Sequence, residues 1–212
     1  MPQNGIRPEG ITLILRDGIA HNRELKILDL QDNTFTLHGA LALADILPGL
    51  RELMDLGVGD CLLSPRGGVI VAKALKSGSN KNLEFLRLQY NEIESNGAKE
   101  FLAAVKLGLP VIKMVEFNGN KFAEDDEVVE EFRTIFLERG FGELDELDDM
   151  EEVSEDEEEE EYESEGEGIG RATAARDILN KQTKEEEEED VALEEDRETD
   201  ELADMLGKAR IE

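Results

Sequence analysis

Cysteine is almost absent from this chain: Cys61 stands alone among 212 residues, so no internal disulfide can form and a disulfide-stapled scaffold is excluded. Tryptophan is missing. The two histidines, His21 and His38, lie 17 residues apart, which matches neither metal-ligand nor catalytic-triad spacing. No N-terminal stretch combines basic residues with the apolar run of a signal peptide, and no window approaches the ~20 apolar residues that span a bilayer. An intracellular, cytoplasmic chain is therefore expected. Basic residues are scarce as well: 23 against 53 acidic ones, a net charge of −30, which disfavours nucleic acid and anionic lipid as partners. No metal, no cofactor and no catalytic constellation is expected.

The charge is distributed unevenly. Residues 1–142 hold 21 acidic and 16 basic residues with abundant Leu, Ile, Val and Ala, whereas 143–212 hold 32 acidic and 7 basic. The first segment can bury a core; the second has too few apolar residues to offset the entropy of ordering its backbone. The expected organisation is a folded domain over 1–142 and a disordered acidic tail over 143–212. Within that tail Leu202, Met205, Leu206 and Ala209 recur at helical spacing behind Thr199, which predicts a short helix over 199–210. Such a tail either solubilises the chain or attracts a basic partner surface.

A search for a repeat period is decisive. The template L-x-x-L-x-L-x-x-N/C-x-apolar fits Leu25, Leu28, Leu30, Asn33 and Phe35, and again Leu83, Leu86, Leu88, Asn91 and Ile93. Weaker copies run through Leu53, Leu56, Val58, Cys61 and Leu63 and through Ile112, Val115, Phe117, Asn120 and Phe122, and a truncated one holds Asn4 and Ile6. The ladder Asn4, Asn33, Cys61, Asn91, Asn120 is spaced by 29, 28, 30 and 29 residues, and a glycine stands six residues after each of the first four: Gly10, Gly39, Gly67 and Gly97. Asp126 replaces it in the fifth copy, as in an atypical terminal repeat. The fold class that follows is α/β: a leucine-rich-repeat solenoid of the long, ribonuclease-inhibitor-like type, about four repeats plus a truncated first one, with a parallel strand layer inside and helices outside.

Each L-x-L strand turns Leu28 and Leu30 inward and Asp29 outward, and the same alternation exposes Gly57, Arg87 and Glu116. The ladder asparagines read as structural: their amides satisfy buried turn backbone groups. Cys61, in an asparagine slot, reads as a small buried thiol. Leu50 and Leu53 offer a competing strand register; the one through Leu53, Leu56 and Val58 fits the whole template and is preferred. The outward and turn positions Asp29, Gln31, Asp32, Asp60, Arg87, Gln89, Tyr90 and Glu92 form the candidate partner-binding surface.

Three stretches, Leu25 to Thr36, Leu83 to Glu94 and Gly142 to Glu152, resemble the Ran GTPase-activating proteins, and continuation into an acidic tail resembles their fungal form. The resemblance implies a partner, the GTP-bound small GTPase Ran, with a Ran-binding protein as a further one. It also implies a role in nucleocytoplasmic transport, from the cytoplasm or the nuclear periphery. It implies activation by positioning the GTPase's own glutamine rather than by an arginine finger, through residues in repeats N-terminal to those present here, so the chain is expected to be a C-terminal fragment. An acidic histone-binding chaperone with leucine-rich repeats and a plain interaction scaffold are the alternatives; the 28 to 30 residue spacing disfavours the former, whose repeats are shorter.

Overall fold

The computed structural model describes residues 2–150; the predicted acidic tail from 151 onward and its helix over 199–210 lie outside the described residues. Five parallel strands stand in sequence order: β1 Ile27–Asp29, β2 Asp55–Gly57, β3 Phe85–Arg87, β4 Met114–Glu116 and β5 Glu143–Leu144. Leu28, Leu56, Leu86, Val115 and Leu144 are in register, so one apolar row runs through the sheet and its flanking residues turn outward. The register preferred on the template, through Leu53, Leu56 and Val58, is the one present, and Leu50 is buried besides. Strand alternation is the physical source of this arrangement: with a period of two, only the central residue of each three-residue strand faces the core.

Helices α1 Pro8–Leu13, α2 Thr36–Ile46, α3 Pro65–Lys76, α4 Ser95–Leu107 and α5 Glu127–Arg139 cover the other side of the core. Their limits follow from local chemistry. Ser64 accepts a hydrogen bond from the Gly67 N–H with Pro65 in the first turn, and Asp126 accepts from the Val128 N–H. At the other end of α5, Gly140 takes the left-handed conformation that stops a helix. Asp126 thus stands where the earlier repeats have glycine because the last helix starts later and needs a cap. The repeated glycine has a packing reason: a Cβ on Gly39 would come within 2.9 Å of Phe35, and one on Gly97 within 2.8 Å of Ile93. The first helical turn therefore sits directly on the apolar residue two places after the ladder.

Four phenylalanines knit the last repeats, with Phe117 in edge-to-face contact with Phe101, Phe122 and Phe132 at 5.6 Å between ring centres. Each such pair adds about 0.5–1.5 kcal/mol to the burial itself. The ordered chain runs past the boundary drawn at 142 from the charge distribution: Glu143–Leu144 extends the sheet and Leu147 is buried. The reason is a carboxylate acting as backbone. Asp145 accepts the N–H groups of Phe117 at 2.8 Å and Asn118 at 2.9 Å, the first in place of the carbonyl that the next strand supplies in the earlier repeats.

Candidate partner-binding face

Behind the face lies the ladder that shapes it. Asn91 donates through Nδ2 to the carbonyls of Val58 and Leu88, 2.9 Å each, while its Oδ1 accepts the N–H groups of Cys61 at 3.1 Å and Leu63 at 2.9 Å. Asn120 bonds in the same way to Leu88, Phe117 and Ile93, and Asn33 to Leu30, Gln31 and Ile6. Each side chain therefore ties its own turn to the preceding repeat. Cys61 imitates this with sulfur: Sγ points at the carbonyls of Leu30 and Gly59, 3.3 Å each, and the Asn33 N–H points at it. Burial, with acidic neighbours adding to it, pushes the thiol up to about 12. Asn4 differs from the others: it is exposed and donates to the Pro2 carbonyl at 2.8 Å, so it does not occupy a buried rung. A fourth buried asparagine, Asn80, which the repeat template does not contain, donates to the carbonyls of Leu47 and Leu50.

The residue before each rung is forced into the left-handed region: Asp32, Asp60, Tyr90 and Gly119 have φ of 56°, 48°, 54° and 72°. Aspartate tolerates this conformation better than most residues. Tyrosine does not, and Tyr90 is held by its surroundings. Its ring lies on Gly119, where a Cβ would come within 2.3 Å of the ring, and its hydroxyl donates to Asp149 at 3.1 Å.

The outward rows of the sheet form the face. Across the register, Asp29, Gly57, Arg87 and Glu116 stand side by side, and Ile27, Asp55, Phe85 and Met114 form the parallel row. Arg87 grips Asp55 through both terminal nitrogens, at 2.7 and 2.8 Å, and lies 3.8 Å from Glu116. This two-pronged geometry is the strong form of an ion pair and takes up both terminal nitrogens of the one cation in these rows. Gln31 donates to Asp29 at 3.2 Å and accepts from Gln89, two repeats away, at 3.2 Å. The bridge exists because the intervening repeat has no side chain in its way: a Cβ on Gly59 would come within 2.9 Å of the Gln89 amide. For the same reason Gly57, expected to be exposed, is buried beneath Asp29 and Gln31.

The remaining charge is acidic. Burial pushes the carboxyls of Asp60, Glu116 and Asp145 upward. Hydrogen bonding and repulsion from Asp32 add to this at Asp60; at Glu116 Arg87 opposes it, and at Asp145 the N–H groups of Phe117 and Asn118 do. Of the eight candidate residues, the structure brings Asp29, Gln31 and Gln89 into one hydrogen-bonded chain and places Arg87 beside it. Asp32 and Asp60 share a contact on the adjoining turns, and Tyr90 reaches Asp149 in the segment 143–150 that caps the end of the sheet. Glu92 lies past the rung, where its N–H donates to Leu63. Sequence reasoning missed Asp55, Asn118, Asp145 and Asp149. The first could have been found as the residue preceding Leu56 in the outward row; the last two sit in a stretch whose composition hides them. Among the described residues no cluster of His, Cys, Asp and Glu is arranged to hold a metal ion, and no helix is long and apolar enough to cross a membrane.

Parallel three-residue strands, an asparagine ladder and one helix per turn of 28 to 30 residues define a leucine-rich-repeat protein, and residues 21–44 and 79–102 match the family described as Leucine Rich repeat. The chain is similar to the Ran GTPase-activating proteins, as its repeats suggest. It is 39% identical over 137 residues to Ran GTPase-activating protein 1 of Saccharomyces cerevisiae, covering 63% of this chain and 34% of that protein. It is 29% identical over 126 residues to RAN GTPase-activating protein 2 of Arabidopsis thaliana, covering 58% and 22%. A human NACHT, LRR and PYD domains-containing protein 13 matches 92 residues at 33% identity, 43% of this chain and 9% of that protein. The chain thus spans about a third of the yeast relative's length and about a fifth of the plant one's.

Proposed function

We propose that this chain contributes the Ran-holding part of a GTPase activator, and that its outward strand face and turns supply part of the surface that holds the GTP-bound GTPase. The observation that carries the proposal is that four consecutive repeats align Asp29, Arg87 and Glu116 with the acidic turns of Asp32 and Asp60, acidic around a single sequestered arginine, in a chain 39% identical over 137 residues to the yeast activator. Asp29, Gln31, Asp32, Asp60, Gln89, Tyr90 and Glu92 would meet a basic surface of Ran, where charge complementarity speeds encounter and selects the partner. Neither the histone-binding chaperone nor the plain scaffold is favoured by the matched relatives.

The chain's part is regulatory rather than catalytic. An arginine finger must reach into the partner's phosphate site to stabilise the transferring group. Arg87, the cation of the outward rows, is held at Asp55 and Glu116 instead, and no outward residue is proposed to enter the hydrolysis step. A cytoplasmic site of action, at or near the nuclear periphery, and contact with a Ran-binding protein belong to the same proposal. Single-turnover hydrolysis of Ran-bound GTP with saturating 212-residue chain tests it: binding with hydrolysis close to the intrinsic rate is expected. Stimulation that disappears in Arg87→Ala would overturn this division of labour.

A further inference from the structure

A groove of about 640 Å³ lies between α5 and residues 143–148, at the end of the outward strand rows, where Glu143 and Asp145 help to line it. Its floor is Phe136, Leu144 and Leu147, and its rim carries Leu137 and Phe141, which are 82% and 45% exposed. Single exposed apolar residues are ordinary on any surface; two of them bordering one apolar-floored groove are not. The backbone enforces the arrangement. Phe141 stands between two left-handed glycines, Gly140 and Gly142, with φ of 69° and 91°, and a Cβ on Gly142 would come within 2.6 Å of the Phe136 ring. The chain reverses there with Phe136 packed on bare backbone, which leaves Phe141 partly in solvent.

The rim is acidic. Glu124, Glu143, Glu146 and Asp148 surround the groove, and its one cation, Arg133, is paired with Glu130 at 2.7 Å. We infer that this groove docks a partner segment with an apolar anchor flanked by lysines or arginines. Charge disfavours a second copy, which would bring the same acidic rim against the first, and residues 151–170, which carry twelve acidic and no basic residues. Residues 171–184, with Arg171, Arg176, Lys181 and Lys184 around Ile178 and Leu179, carry the same chemistry within the chain, and their seating in the groove is an outcome of the test. An amphipathic segment laying its apolar residues into such a groove is a recurrent mode of peptide recognition, with rim charges setting specificity. None of the residues assigned to Ran lines the groove.

The test uses the full 212-residue chain and a fluorescent peptide of about twelve residues, leucine and phenylalanine four apart between lysine pairs, with a photo-cross-linker beside the phenylalanine. The comparison peptide keeps the lysines and replaces both apolar residues by serine, so attraction to acidic sequence alone is common to the two. The apolar peptide is expected to bind at least about tenfold more tightly, since seating two apolar side chains is worth more than the ~1.4 kcal/mol that tenfold requires. Its cross-links are expected within residues 133–148. Leu137→Ser with Phe141→Ser, both at exposed positions, should reduce its affinity to that of the serine peptide. Equal binding of the two peptides, cross-links confined to residues beyond 150, or an unchanged affinity in the double variant would overturn the proposal. Self-association of the wild type that the double variant abolishes would assign the groove to a second copy and overturn it as well, and a gain of about tenfold or more in peptide affinity in Ile178→Ser with Leu179→Ser would assign it to the chain's own segment and overturn it too.

Discussion

Replacing Asn91 by alanine removes four hydrogen bonds of 3.1 Å or shorter at once and leaves three backbone groups that cannot turn to water. The carbonyl of Val58 loses its donor and the N–H groups of Cys61 and Leu63 lose their acceptor, while the Leu88 carbonyl keeps the Asn120 amide at 2.9 Å. Asn91 and Cys61 are buried, and Val58 and Leu63 are wholly so. A buried backbone group left without a partner costs about 1–3 kcal/mol, so three of them set a cost of at least about 3 kcal/mol, against a total domain stability of ~5–15 kcal/mol. Cys61→Ala, at the homologous rung, removes only weak sulfur contacts and a small cavity's worth of packing and should cost about 1–2 kcal/mol. Urea unfolding of both variants, followed by far-ultraviolet circular dichroism, separates the two. The midpoint should fall much further for Asn91→Ala with little change in slope. A loss below about 2 kcal/mol for Asn91→Ala, or one no larger than that of Cys61→Ala, would refute the view that this rung joins two repeats.

Cys61 should resist thiol labelling in the native protein and react on unfolding. Because its folded value of about 12 lies above the unfolded value of 9.0, stability is lost as pH rises above 9, by about 1.4 kcal/mol at pH 10; Cys61→Ala should remove that part of the alkaline slope in pH-dependent melts. Raised carboxyls act with the same sign in acid: the native state takes up protons at Asp60, Glu116 and Asp145 before the unfolded chain does. Stability should therefore rise as pH falls from neutrality towards their ordinary range, and Asp60→Asn should blunt the rise in Tm. Arg87→Ala leaves Asp55 half-buried beside Glu116 and should cost about 1–2 kcal/mol; a double-mutant cycle with Asp55→Asn should return most of it as coupling, and additive losses would deny the pairing.

The fold was legible because a period of 28 to 30 residues leaves little freedom. Once Leu86, Leu88, Asn91 and Ile93 are superposed on Leu28, Leu30, Asn33 and Phe35, strands, turns and helices follow from alternation and helical spacing. The site was legible in outline, since alternation identifies Asp29, Arg87 and Glu116 as outward. What lay beyond reach depends on contacts between repeats. Gly57 looks exposed by alternation but is covered by Asp29 and Gln31, and Gln31 meets Gln89 across 58 residues of sequence because Gly59 leaves the way between them clear. The cap was hidden for a different reason. Residues 143–150 read as the start of an acidic tail, yet one carboxylate, Asp145, holds two backbone N–H groups of the last full repeat, and composition cannot distinguish a capping aspartate from a solvated one. Asn80 escaped because its partners, Leu47 and Leu50, belong to the preceding repeat's loop.

The central claim is that the acidic outward face contacts Ran, and the most direct measurement is a fluorescence titration of GTP-loaded Ran with the 212-residue chain and with its Asp29→Asn, Asp32→Asn, Asp60→Asn variant at two salt concentrations. The wild type should bind in a salt-sensitive way, with the triple variant at least about tenfold weaker and its salt dependence flatter, because complementary charges act chiefly through screened, longer-range attraction. Equal affinity and equal salt dependence for the two proteins would contradict the account.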